Sequence, residues 1–277
     1  MTAPVEPGIY TDLSYAEYDA IPAKRSSHLI GPEETPAHKH HAETHPEDTR
    51  PLRLGIAGHV AILEPHLFVR RYTERAKARG TGSRAVNAAA KAEAQSQGLT
   101  ELEPDEMRAV EHMRRAVLTH RIAGPLLERA LARELSIVWR DGEHGVLCKA
   151  RLDALAEVDG QTCVVDLKTT SMRAGSRAWR SAAWTFGYYR QAAWYLAGAA
   201  AVEPEDAGDR GWLWVVVESE PPHCVVVYRA DEELLSIGYD ECRAGLARRL
   251  EAERTGEWPG YPDEIQTLQA PRWLNVL

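Results

Sequence analysis

Residues 145–170 read GVLCKARLDALAEVDGQTCVVDLKTT, two runs rich in aliphatic and β-branched side chains on either side of Asp159-Gly160. An Asp-Gly pair between such runs is a strong short-range signal for a tight antiparallel hairpin. The turn fixes the register. With Asp159 and Gly160 as the loop, Asp153 lies opposite Asp166 and Arg151 opposite Lys168. Side chains alternate between faces, so Asp166 and Lys168 share one face while Val165 and Leu167 share the other with Leu152 and Ala150. One face is then apolar and the other ionic. Opposed residues have Cβ atoms only ~4.5–5.5 Å apart, where two like charges destabilise the pair unless positive charge sits between them. A divalent metal supplies that charge; carboxylate oxygens with water suit Mg²⁺ or Mn²⁺, and a neighbouring lysine can act on the attacking water or on a substrate phosphate. An Asp-x-Lys triplet alone also fits a solvated strand face with a weak ion pair. The second acid across the hairpin is what favours chemistry.

The chain has 277 residues, enough for a full hydrophobic core, and the composition of an ordinary globular protein. No stretch approaches the ~20 apolar residues of a membrane span, and residues 1–22 lack the regions of a signal peptide, so a cytoplasmic protein without membrane partners is expected. Cys148, Cys163, Cys224 and Cys242 are widely spaced with no C-x-x-C pair, which suits buried free thiols. The net charge of −8 argues mildly against nucleic acid, but two local basic runs run counter to it. Arg70, Arg71, Arg75, Lys77, Arg79 and Arg84 form one; Arg173, Arg177, Arg180 and Arg190 form the other. Either is a solvated face or the lining of a channel.

Upstream of the hairpin, Ser14 and Glu17 form a capping box for a short helix, and Ser26 or Ser27 caps another. His38, His40, His41 and His45 fall in a polar, Pro-bounded stretch that reads as an exposed loop with no scaffold for a metal. Ile56, His59, Val60 and Leu63 recur at helical spacing, placing His59 on an inward face; a lone histidine there ordinarily belongs to the core. Residues 72–98 are Ala-rich with weak periodicity. Pro104 starts a helix with Met107, Val110, Met113, Val117 and Leu118 as its apolar stripe, and a shorter helix follows Gly124-Pro125. Glu134 opens the strand ELSIVWR, as either an exposed terminal charge or a third acid near the metal. After Thr170 an Arg- and Trp-rich connection leads to one helix over about 183–200, in which Gln191 and Tyr195 share a face. GWLWVVVE and HCVVVYR read as strands, and Asp231 caps a last helix with Leu235, Tyr239, Cys242, Leu246 and Leu250 inward. The tail is irregular and is expected to pack by its Trp and Leu residues.

This ordered set, His59, Asp153, Asp166-Leu167-Lys168 and Gln191-x-x-x-Tyr195, resembles the PD-(D/E)xK nucleases of the RecB-like group, and within them RecE-type exodeoxyribonucleases. PGIYTDLSYAEYDAIP, SSHLI with TPA, LGIAGHVAILEPHLF, ELSIVWRDGEHGVLCKARLDAL, VVDLKTT, EWP and PRW fall where that family has similar segments. The resemblance implies an α/β fold with a mixed sheet: a restriction-endonuclease-like core with helices on both faces and N-terminal helical additions. It implies a single domain over 1–277, with an N-terminal arm over 1–50 and the nuclease core over 51–277. It makes His59, Asp153, Asp166 and the Leu167 backbone carbonyl metal ligands, and Glu134 matches a family acid. Lys168 is the catalytic lysine that orients or deprotonates water. Gln191 and Tyr195 hold DNA and the active-site groups, with Arg151, Arg173, Arg177 and Arg180 as further DNA contacts. The implied activity is Mg²⁺-dependent degradation of linear double-stranded DNA, 5′ to 3′, giving 5′-phosphate products and 3′ overhangs for a single-strand annealing partner in phage-type recombination. Mn²⁺ is expected to substitute, and toroidal homo-oligomers occur among related exonucleases. The rivals are an inactive DNA-binding module on the same fold and a structure-specific endonuclease. Leu152 stands where the motif name has proline, and the loop over 173–180 is least like the family.

Overall fold

Asp159 and Gly160 take φ of 53° and 78°, the left-handed pair that a two-residue hairpin loop demands. They join β5 (Leu147–Val158) to β6 (Gln161–Thr170), paired in the register that the turn predicts from Val158–Gln161 to Ala154–Val165. The computed structural model describes residues 5–206 and 210–268. Around the hairpin it assembles a six-stranded mixed sheet with β1 (Gly8–Tyr10), β4 (Ala132–Arg140), β7 (Gly211–Glu218) and β8 (Val225–Arg229), in the order β1-β4-β5-β6-β7-β8. Among the described residues of this sheet, only β6 and β7 pair as parallel strands. A parallel pair needs a crossover, and α8 (Arg177–Thr185) and α9 (Tyr188–Val202) supply it.

Helices cover both faces. On one, α3 (Arg50–Leu63), α6 (Pro104–Thr119) and α7 (Ala123–Glu128) pack Leu54, Ala57, Met113 and Leu127 against Ala154, Val165, Leu167 and Val215. On the other, α9 and α10 (Glu232–Thr255) pack Ala192, Trp194, Cys242 and Leu246 against Leu152, Val164, Trp212 and Val216. β7 is thus buried on both sides, as its unbroken apolar run predicts, whereas β8, with a similar run, lies at the sheet edge and is only half-buried. α9 and α10 approach closely at Gly238, where a Cβ would lie 2.7 Å from the Tyr189 carbonyl oxygen. The remaining elements are α1 (Tyr15–Ala20), α2 (Pro36–Thr44), α4 (Pro65–Arg71), α5 (Ser83–Ser96) and a small parallel pair of β2 (Tyr72–Glu74) with β3 (Thr100–Leu102). Among the described residues no helix is long and apolar enough to cross a membrane.

Several local expectations fail for identifiable reasons. The hairpin was expected to keep Leu152 and Ala150 on the face of Val165 and Leu167, yet they pack on opposite faces. The ladder with β6 ends at Ala154–Val165, so neither Asp153 and Asp166 nor Arg151 and Lys168 are paired in it. Ile56 is 51% exposed because the buried stripe of α3 runs through Leu54, Ala57, Gly58 and Ala61, the last three small enough to let the helix lie close to the sheet. Leu118 and Tyr239 are likewise exposed. The histidine stretch is a helix, α2, capped by Thr35 with Pro36 in its first turn; His40 stacks on Trp258 at 4.5 Å. Residues 72–98 contain α5, and the single helix over 183–200 is two, separated by Gly187 at φ 66°. The N-terminal arm is part of the sheet, since β1 pairs with β4. Cys224 is exposed, whereas the other three thiols are buried. In the tail, Ile265 and Leu268 are exposed, and the PRW segment lies outside the described residues.

Candidate active site

The strand alternation breaks at one place on each of two neighbouring strands. On β5, Cys148, Ala150 and Leu152 face α9 and α10, but Ala154 and Ala156 face α3 and α6. Residues two apart on a regular strand share a face, so the strand turns over at Asp153. On β4 the matching turnover is Glu134, which takes φ 52°. Leu135 faces the α9 layer, while Arg133 donates to the carbonyls of Leu63 and Leu127 on the other side. Arg133–Ala154 and Leu135–Leu152 both pair, and Glu134–Asp153 between them does not. A left-handed backbone at a non-glycine residue costs about 1–3 kcal/mol and persists where the surroundings impose it. Here it places two carboxylates at one kink of the sheet.

α3 brings the third group. Gly55 and Gly58 sit against Thr169, with a Cβ at either position meeting it or Met113 at 3.1 Å, and this close approach sets His59 over the kink. His59 Nε2 lies 3.0 Å from Asp153 Oδ2 and Nδ1 lies 3.9 Å from Glu134 Oε1. Burial opposes charge on the imidazole, but the Asp153 and Glu134 carboxylates outweigh it and raise its pKa to about 9. Burial also works against the Asp153 carboxylate; His59, Lys168 and the Leu167 amide, which donates to Oδ2 at 2.7 Å, hold its pKa below the ordinary value. Glu134 is pushed up, by burial first and by Asp153 second.

A second group lies beside this one on β6 and α9. Lys168 Nζ donates to Asp166 Oδ1 and to Gln191 Oε1, both at 2.9 Å. Gln191 Nε2 in turn donates to the Tyr195 hydroxyl at 3.3 Å. Burial lowers the tendency of Lys168 to carry charge, but Asp166 and Asp153 prevail and its pKa is raised, so the side chain is an ammonium. Burial, reinforced by Asp153, pushes Asp166 up to about 6 despite the lysine. Tyr195 is raised by burial. Tyr188, a residue that sequence spacing did not single out, lays its ring 4.9 Å from Lys168 Nζ. The signal that would have found it is Gly187, whose helix break makes Tyr188 the first residue of α9.

The expected site residues therefore fall into two adjoining sets. His59, Glu134 and Asp153 offer ligand atoms within 4.8 Å of one another, the one such cluster among the described residues. Asp166, expected in the same ligand set, is turned to Lys168. Leu167 links the sets through its amide rather than its carbonyl. Two buried carboxylate oxygens lack hydrogen-bond partners: Glu134 Oε1, and Asp166 Oδ2, which has only the ion-pair contact to Lys168 at 2.7 Å. Orphaned carboxylate oxygens next to an imidazole fit a divalent ion bound through oxygen and nitrogen. Arg151 is tied to the first set. Its Nε donates to Glu134 at 2.7 Å, and its Nη1 donates to Ser136 Oγ and to the Leu13 carbonyl, so this buried guanidinium, expected as a DNA contact, is engaged within the protein and positions Glu134. Arg173, Arg177 and Arg180 are exposed, and among the described residues none is ion-paired.

No curated protein sequence matches the chain. The crystal structure named "Putative exonuclease" from Eubacterium rectale superposes with a TM-score of 0.57 at 10% identity, covering 95% of this chain and 96% of that one. The similarity is one of fold. SSO0001 (17% identity, 68% of this chain and 84% of that one) and VC1899 from Vibrio cholerae (12%, 72% and 53%) reach TM-scores of only 0.28 and 0.22 and carry no structural argument. The family model described as "PDDEXK-like domain of unknown function (DUF3799)" matches residues 26–271. The chain belongs to this PDDEXK-like family.

Proposed function

We propose that the chain is a metal-dependent deoxyribonuclease that degrades one strand of linear duplex DNA from a 5′ end, leaving 3′ overhangs for a single-strand annealing protein. The observation that carries this reading is the meeting of His59, Glu134 and Asp153 at the kink, next to an Asp166–Lys168–Gln191 chain of hydrogen bonds. A bound divalent ion, Mg²⁺ with Mn²⁺ able to substitute, would polarise the scissile phosphate and lower the pKa of its water. His59, Glu134 and Asp153 would hold it, with Asp166 and the Leu167 carbonyl as further oxygen donors from β6. Arg151 keeps Glu134 turned inward. Lys168, held by Asp166 and Gln191, orients or deprotonates the attacking water and neutralises charge on the phosphate. Gln191, braced by Tyr195, holds that side chain in place. Arg173, Arg177 and Arg180 supply phosphate contacts.

The test is end-labelled linear duplex and closed circular duplex, with and without Mg²⁺, for the unmutated protein, Asp166→Asn and Lys168→Ala. The unmutated protein should shorten the linear duplex from its 5′ label and spare the circle, and both variants should be slower by about 10²-fold or more. Intact linear DNA would leave a binding module. Undiminished variants would move the chemistry elsewhere, and a cut circle would make the protein an endonuclease.

A further inference from the structure

A lysine carries its head on a flexible stem, and fixing such a chain at one spot costs conformational entropy that its partners must offset. The amino head of Lys168 has two polar partners, Asp166 and Gln191. Among the described residues it hydrogen-bonds to nothing else. A third neighbour closes on it, the face of Tyr188, with the ring centroid 4.9 Å from Nζ. Aromatic faces carry negative charge density that attracts an N–H or a cation placed over them.

Local structure puts the ring there. Gly187, left-handed at φ 66°, separates α8 from α9 and makes Tyr188 the first residue of α9. Tyr188 and Gln191 are three apart, so they share one face of the helix, and both reach Lys168. Arg190 pairs with Glu241 of α10 and so fixes the start of α9. Trp179, a buried residue of α8, and Phe186 flank the Tyr188 ring with centroids 5.5 and 5.9 Å away. The ring is thus wedged between α8 and the lysine. Its hydroxyl makes no hydrogen bond among the described residues, so the face is what Tyr188 offers. Tyr195 differs, acting on Gln191 through its hydroxyl.

We propose that Tyr188 is a positioning residue for Lys168, its π face holding the amino head beside Asp166 and within reach of the scissile phosphate. Its part in turnover rests on the nuclease reading, while the placement of the lysine can be read with no substrate present. For the placement, lysine labelled with ¹³C at Cε is followed by NMR in EDTA, the Lys168 signal being the one lost in Lys168→Ala. Protons over a ring face resonate upfield. The Lys168 ε-methylene should therefore stand upfield of ordinary lysine in the unmutated protein, stay there in Tyr188→Phe and move back in Tyr188→Leu. For turnover, Tyr188→Leu should lower kcat on linear duplex with Mg²⁺ about tenfold at nearly constant KM, and Tyr188→Phe should remain within about twofold. A trifluorinated phenylalanine at position 188 keeps the shape of the ring and drains its π face, so it should lower kcat even if the leucine variant fails to fold. An unshifted Lys168 signal in the unmutated protein, or one equally shifted in Tyr188→Leu, overturns the proposal. Full kcat with the trifluorinated ring, or with leucine in a protein of lowered melting temperature, overturns it as well, since the ring would then act by packing alone. If the unmutated protein never cuts linear DNA, the nuclease reading fails and the NMR shift alone decides the role of Tyr188. Cleavage indifferent to Tyr188 gives the reverse.

Discussion

Arg151 illustrates what a residue's type leaves open. A cation near the active acids predicts a phosphate contact, but its rigid fork instead joins Glu134, Ser136 and the Leu13 carbonyl. Lysine keeps the charge and loses the fork. Arg151→Lys should therefore free the Glu134 carboxylate and reduce Mn²⁺ affinity or turnover by about 10–100-fold, the usual cost of losing a group that orients a metal ligand. Titration calorimetry with Mn²⁺ checks this; full affinity with a lowered melting temperature would make Arg151 a purely structural bridge. Asp153, Asp166 and Lys168 are legible in the sequence because a turn signal and a short motif fix their spacing, whereas His59 is singled out only by the family resemblance of its helix. The sequence leaves Glu134 open, since its role depends on a left-handed φ of 52°, which no residue type announces for glutamate. Lys149 is a similar case. It is 2% exposed and donates to the carbonyls of Tyr18, Asp19 and Ile21, tying the N-terminal segment to β5 by contacts far apart in sequence.

At the scale of elements, hairpins and capped helices could be read from local chemistry, whereas faces could be read only while strands stayed regular. The β5–β6 register follows from Asp159-Gly160, but alternation cannot be carried through Asp153, where two strands turn over together. Such a kink needs its strands anchored at the far end, and the β4–β5 turn supplies the anchor. Asp141 there accepts from the His144 amide at 2.8 Å and pairs with Arg243 of α10. Burial raises the pKa of Asp141, but Arg243 and the His144 amide overcome it, leaving the folded value below the usual 3.8. With the folded pKa depressed, the stabilisation is present above the unfolded pKa of about 3.9 and is lost as pH falls through the lower folded value. Asp141→Asn should cost about 2 kcal/mol at neutral pH, within the range for breaking a partly buried pair. The gap in melting temperature between the two proteins should then stay constant above about pH 5 and close on further acidification. A gap independent of pH would mean that the aspartate acts by packing alone.

Across the whole molecule a net charge of −8 must be reconciled with a polyanionic substrate, and the two basic runs divide on this point. In the first, Arg75 and Lys77 pair with Glu103, so part of its charge is already neutralised. In the second, Arg190 is paired with Glu241, but Arg173, Arg177 and Arg180 stand exposed on the connection that follows Lys168 along the chain, with no acid bound to them among the described residues. On an acidic protein, unpaired arginines such as these attract the phosphates that the net charge repels and so favour contact along that connection. Each arginine that meets a phosphate releases counterions, so the dependence of log affinity on log salt should steepen by roughly one per contact. Replacing all three by alanine should lower the magnitude of that slope for linear duplex by roughly 2–3 and weaken binding most at low salt. The hydrolysis rate at saturating DNA should change little, because none of the three touches the acids or the lysine. Affinity measured across a salt series in EDTA decides it: an unchanged slope would put the duplex on another face of the molecule.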